Sequence, residues 1–233
     1  MNKTVKIIVE IGLGAVIIGL GIWLYLSIME PVKFDNEYTK RRNACAEKLK
    51  VIRTLEDAYK NTYGVYCGDF DTLINRLMNE DSMRVVSKSI NKEAIPADVD
   101  INEITELEAL KKGYISRVEV FVNPIAKLRE DGKLKIADAD GNLREVTDEE
   151  LMNIAYVPYP RTEKYKFQLD AGVIEKSGFN VPVFECKVDL VDLLKDMDHQ
   201  LVVNKISELE RINRYPGWKV GDMTQSVTDG NFE

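Results

Sequence analysis

A carboxylate stands where hydrocarbon is expected. In the stretch KIIVEIGLGAVIIGLGIWLYLSI, residues 6–28, every residue except Lys6, Glu10 and Ser27 is apolar or glycine. A charged side chain at a bilayer centre costs roughly 2.5–3.5 kcal/mol on insertion scales, and less near an end, so Glu10 calls for a partner. Two kinds are open to it. Lys6 lies four residues earlier on the same helical face and can pair with it. A cation or amine from a neighbouring subunit would serve equally, and would fix the register of an assembly.

No other constellation carries recognisable chemistry. His199, the single histidine, stands beside Asp196 and Asp198. One histidine cannot build a multi-histidine metal site, and Cys186 lacks a CxxC partner. His199 therefore reads as a surface residue at a helix start. Cys67 with His199 would supply a nucleophile and a base, but neither sits in a local signature of such a pair. Asp138-Ala139-Asp140-Gly141-Asn142 has the flavour of a calcium loop. Aligning Gly141 with the loop glycine, however, puts Ile136 and Thr147 at the first and last ligand positions, where oxygen-rich side chains are required. A hairpin turn explains those residues instead. No GxSxG, Walker-type or GxGxxG motif occurs. The expectation is a chain with no catalytic residues, no metal and no cofactor.

The net charge of −7 opposes binding to phosphate backbones, so nucleic acid is not an expected partner. Cys45, Cys67 and Cys186 are too few and too scattered for a disulfide framework and read as small buried hydrophobes.

The elements that would position Glu10 follow from hydropathy. Residues 7–28 reach the roughly 20 residues that a helix needs to cross a ~30 Å hydrocarbon layer. Trp23 and Tyr25 fall near the end of the run, where amphipathic rings favour the interface, and Pro31 marks a bend or break beyond it. The run is longer than a signal-peptide core and no small-x-small site follows it, so the segment reads as an uncleaved, single-pass anchor spanning 1–30. Gly12 and Gly19, and Gly14 and Gly21, lie seven apart. They are expected on a broad common face that lets another helix approach.

From Phe34 to Tyr63 the pattern turns amphipathic. Tyr38, Cys45, Leu49, Ile52, Leu55, Tyr59 and Tyr63 recur at helical spacing, and Lys40, Arg41, Arg42, Glu47, Lys48, Lys50, Arg53, Glu56 and Asp57 fill most other positions. Residues 31–63 are thus expected to form a stalk helix. Its first half would stand free, its second half would pack on the head, and its stripe would serve association. The remainder, 64–220, reads as an α+β head of short helices and antiparallel strands, with a loosely held polar tail over 221–233. Hairpin signals lie at Asp140-Gly141 and Ser177-Gly178. RVEVFV, 117–122, alternates like a half-buried strand. INEITELEALKK, 101–112, reads as a helix closed by Gly113.

An apolar helix with an early glutamate, running into an amphipathic helix and then a strand-bearing head, resembles the type IV pilins and the pseudopilins of type II secretion. Over 48–77 the resemblance is carried by Ala58-Tyr59, Gly64 and Tyr66, in the aromatic-rich turn where the long helix ends. It covers the first third of the chain. Val5-Lys6 stands where a prepilin carries its cleavage site, and the ending YPGWKVGDMTQSVTDGNFE is more similar to single-pass bacterial envelope proteins. The resemblance implies that Glu10 helps subunits dock. It also implies a non-enzymatic, pilin-like or scaffold subunit of an envelope assembly in the inner membrane, its C-terminal domain periplasmic. Its partners would be the membrane and either envelope proteins or further copies of itself. The other reading is a tethered periplasmic module that captures a peptide, a lipoprotein or cell-wall material on a strand edge.

Overall fold

The computed structural model of the chain describes residues 3–91, 94–96, 104–138 and 141–232, with side chains from Glu10 onward. It is α+β: a long N-terminal apolar helix and small antiparallel sheets. Helix α1, Lys3–Tyr63, runs unbroken for 61 residues, about 90 Å at ~1.5 Å per residue. Pro31 lies inside it, so the expected break is absent. Proline removes one N–H, and with it the partner of the Ser27 carbonyl. That gap falls on an exposed stretch, while packing from Phe34 onward holds the axis.

The chain then folds back around the second half of α1. Gly64, at φ 80°, turns it, and its N–H closes the helix on the Lys60 carbonyl at 2.7 Å. Helix α2, Phe70–Asn79, is capped by Asp69, which accepts from the Thr72 N–H at 2.8 Å, and it buries Phe70, Leu73 and Leu77. Strand β1, Met83–Ile90, pairs antiparallel with β2, Ile115–Val122. Between them lies α3, Glu106–Lys111. It is shorter than the helix expected over 101–112, of which 101–103 lie outside the described residues. Helix α4, Pro124–Glu130, starts at Asn123, whose side-chain amide also donates to the Met78 carbonyl and ties α4 to the end of α2. Strands β3, Lys135–Ala137, and β4, Leu143–Glu145, form the hairpin expected around 140–141. A Thr147–Glu150 capping box opens α5, Asp148–Met152.

The main sheet has the order β5-β6-β7, with β5 at Gln168–Lys176, β6 at Phe179–Asp189 and β7 at Gly217–Gly221. Ser177 and Gly178, at φ 53° and 79°, make the two-residue turn expected there. Helices α6, Leu190–Leu193, and α7, His199–Arg211, lie between β6 and β7. The sheet lays Phe184, Cys186, Val188, Trp218 and Val220 into the core with α1. Trp218 meets Tyr38, and Phe184 meets Tyr66, with ring centroids 5.9 Å and 4.7 Å apart.

Three expectations are corrected. No half of the amphipathic segment stands free. Phe34, Tyr38, Cys45, Leu49, Ile52, Leu55 and Tyr59 are all buried in one core, so 31–63 is the spine of the head rather than a stalk beneath it. The tail is not loose: Phe232 is buried, Asn231 bonds both the N–H of Lys219 and the carbonyl of Gly217, and Arg42 and Arg53 reach the carbonyls of Phe232 and Thr228. Strand β2 is not half-buried either, for most of its residues are exposed on both faces.

Candidate functional site: the uncovered half of helix α1

Among the described residues, no element packs over α1 from Ile11 to Ile28. Ile11, Leu13, Ile17, Ile18, Trp23, Tyr25 and Ile28 are each more than half exposed. Among the described residues this is the one helix long and apolar enough to cross a membrane. A helix that is apolar all round is stable when something apolar surrounds it, either lipid or other helices. Its sequence therefore demands a cover that the fold does not supply.

The glycines sit otherwise than expected. Because α1 is unbroken, each residue advances about 100° round the axis. Gly12 and Gly19 then fall within roughly 20° of one another, and so do Gly14 and Gly21, but the two pairs are about 200° apart. They are two rows on opposite sides, not one broad face. A Cβ added at any of the four meets nothing within 4 Å. On the same wheel, Glu10 and Tyr25 share the side of Gly14 and Gly21, and Trp23 shares that of Gly12 and Gly19. The helix thus offers two small-residue seams, one of them bearing the carboxylate. Glu10 is exposed, and the Lys6 side chain lies outside the described residues.

The amphipathic stripe cannot serve association. Tyr38, Cys45, Leu49, Ile52 and Tyr59 are covered by the chain's own head, and the half-buried Tyr63 donates its hydroxyl to Glu80 at 2.7 Å. Two charged members of the stripe escaped the sequence reading, which placed Arg41 and Glu56 with the solvated positions. Arg41 is 5% exposed, and it holds both oxygens of Asp196 at 2.5 and 2.9 Å, the Leu193 carbonyl at 2.9 Å and Glu37 at 3.1 Å. Glu56 is fully buried. One oxygen accepts from the Cys67 N–H at 2.9 Å, and the other has no partner among the described residues. Burial pushes this carboxyl up to about 8, against the smaller opposing pull of the Cys67 N–H. The signal was there: Arg41 stands three after Tyr38 and four before Cys45, and Glu56 four after Ile52 and three before Tyr59.

Lys48 also points inward at its tip, capping α5 through the carbonyls of Asn153 and Tyr156, while Glu47 accepts from the Ala137 N–H. The polar residues of α1 thus grip α5, α6, β3 and the tail together. The three cysteines are buried and unpaired, as small hydrophobes are. Burial raises the Cys45 thiol to about 12 and moves those of Cys67 and Cys186 upward as well. His199 is exposed at the start of α7, whose cap is Asp198. Asp138 accepts from the Asn142 N–H at 2.8 Å within the β3–β4 turn. Among the described residues no three His, Cys, Asp or Glu side chains are gathered to hold a metal ion.

Comparison with models of protein families, with curated proteins and with solved structures returned no match.

Proposed function

We propose that the chain is a non-enzymatic, membrane-anchored, pilin-like subunit of a bacterial envelope assembly, held by the first half of α1 and carrying its head outside the inner membrane. One observation carries the reading. A single unbroken helix is apolar and uncovered among the described residues over 11–28 and is the spine of the head from Phe34 onward. Anchor and head are therefore joined through one helix, and a contact made by the anchor constrains the orientation of the head.

The mechanism is positional. The two glycine seams let helices of neighbouring subunits approach from opposite sides, which is what a repeating, non-closing assembly requires. Glu10 lies on one seam and accepts a cation or amine from the neighbour, as the resemblance to pilins implies. The head begins at the anchor's end. Glu30, Lys33 and Phe34 line a groove with Met197, Asp198 and Leu201, only two residues past Ile28. The head accordingly rests at the bilayer surface, and no spacer sets its height.

The test is disulfide crosslinking in native membranes from Gly12→Cys and, separately, Gly14→Cys, both accommodated without a clash inside the chain. Each variant is expected to give covalent dimers, and the two cysteines together a ladder of higher species. Monomers from all three would overturn the reading. The tethered binding module is favoured instead if those monomers co-purify with one ligand. The observation in its favour is the two-stranded β1–β2 sheet, whose outer edges carry no further strand among the described residues.

A further inference from the structure

The β1–β2 ribbon keeps all its charges on one face, alongside the exposed Val86, Ile90 and Phe121. Direct cross-strand partners point to the same face. One face therefore carries Met83 with Val122, Val85 with Val120, Ser87 with Val118, and Ser89 with Ser116. It has no charged residue, in a chain of which 30% is charged. The opposite face holds every charge of the ribbon: Arg84 pairs with Glu119, and Lys88 and Arg117 both reach Glu106 of α3 at 2.6 and 2.7 Å. Thus α3 lies over the charged face. On the uncharged face the Met83 end packs against the core, while Val118 and Val120 are 47% and 41% exposed and the three serines are open to solvent.

We propose that this uncharged face is a self-contact surface of the head, and that its occupant is the same face of a second copy. Charge decides the occupant. Heads that each belong to a chain of net charge −7 repel, and they approach at least cost where neither carries a charge. A charged partner would leave its own charges desolvated against valines and serines. An isologous contact sets like against like, Val and Ser of similar height on both sides, and needs no second protein to evolve with it. Size completes the case. At ~3.3 Å per residue and ~4.8 Å per strand, a two-stranded face eight residues long presents about 250 Å². Two such faces fall well short of the roughly 1,200 Å² of a stable free interface. Such a contact forms between copies already concentrated and oriented by their anchors, so the proposal rests on the membrane-assembly reading for its local concentration. It also covers a face that the described residues leave largely open on a two-stranded ribbon, which is marginal in water by itself.

The experiment uses the full chain in native membranes, with single exposed cysteines at Val118→Cys on the uncharged face, Val86→Cys on the charged face, and Gly12→Cys as the report on the anchor. Mild oxidation is expected to link Val118→Cys into dimers several-fold more than Val86→Cys, whose exposure of 51% is similar. Solubilising in excess detergent before oxidation is expected to abolish the difference. Equal linking through positions 118 and 86, with Gly12→Cys still forming dimers, overturns the self-contact and leaves the anchor assembly standing. No dimers from any of the three overturns both. A Val118→Cys adduct with a different protein overturns the second copy as occupant.

Discussion

Glu56 is the residue whose chemistry the core controls most strongly. Its neighbours are the Cys67 N–H and thiol, the Tyr66 hydroxyl, Cys186 and Asp57, and none is a cation. Burial outweighs the one N–H that would stabilise a charge, that of Cys67, so the carboxyl stays protonated in the folded state to about 8, against an ordinary 4.5. The sign of the pH effect follows. Between those values the unfolded chain releases this proton and the folded chain keeps it, so stability is greatest below 4.5, falls as pH rises, and levels off above about 8. Glu56→Gln keeps an acceptor for the Cys67 N–H and cannot ionise. It is expected to flatten this slope and to raise stability at pH 8 by an amount on the order of a few kcal/mol. Thermal melts of both proteins at pH 5 and pH 8 check this, and a variant less stable than wild type at pH 8 would refute it.

At the scale of elements, one side chain makes the polar joint between α1 and α6, beside the apolar packing of Leu190 and Leu193 in the shared core. Arg41 joins the Leu193 carbonyl and Asp196 to the helix, and its guanidinium stacks 5.1 Å from the Tyr159 ring centre. Removing one partner of a buried ion pair costs about 3–5 kcal/mol, and less here because the Asp196 side chain is one-third exposed. Arg41→Ala is expected to cost about 2–3 kcal/mol in a denaturant titration, and Arg41→Lys most of that, since lysine cannot hold two carboxylate oxygens and a carbonyl from one plane. A loss below ~0.5 kcal/mol for Arg41→Ala would show the joint to be carried elsewhere. How far such elements are legible in sequence depends on what fixes them. The axis and register of α1 are written in the spacing of its apolar residues, the α2 cap in the pair Asp69 and Asp71, of which the structure uses Asp69, and the β5–β6 turn in Ser177-Gly178, because these features are local. Strand β7 is not legible: Pro216 and Gly217 read as punctuation, and the strand exists because Trp218 and Val220 find the core and β6 offers an open edge. Arg41 and Glu56 were misread because identity, rather than position in the stripe, governed the reading. Pro31 misled because its cost is local, whereas the helix is held by the whole head.

For the whole molecule, one continuous helix joins the apolar segment to the head, and Pro31, which leaves the Ser27 carbonyl without its helical partner, is the weak turn between them. Glycine seams and carboxylate lie on the same helix that carries the core from Phe34 onward, so in the proposed assembly a rotation of that helix turns the head with it. A hinged stalk would have separated these roles. The fold joins them by burying the stripe that sequence alone assigned to association. The most direct measurement is an accessibility scan of α1 in native membranes, placing single cysteines at each position from 11 to 36 and labelling with a membrane-impermeant maleimide. The native thiols are buried, with Cys45 and Cys186 at 0% exposure, and contribute little background. Positions 11–28 are expected to resist labelling, and Asp35→Cys and Asn36→Cys to react readily. Uniform labelling through 11–28 would place that segment in water and contradict a membrane-held helix that carries the head.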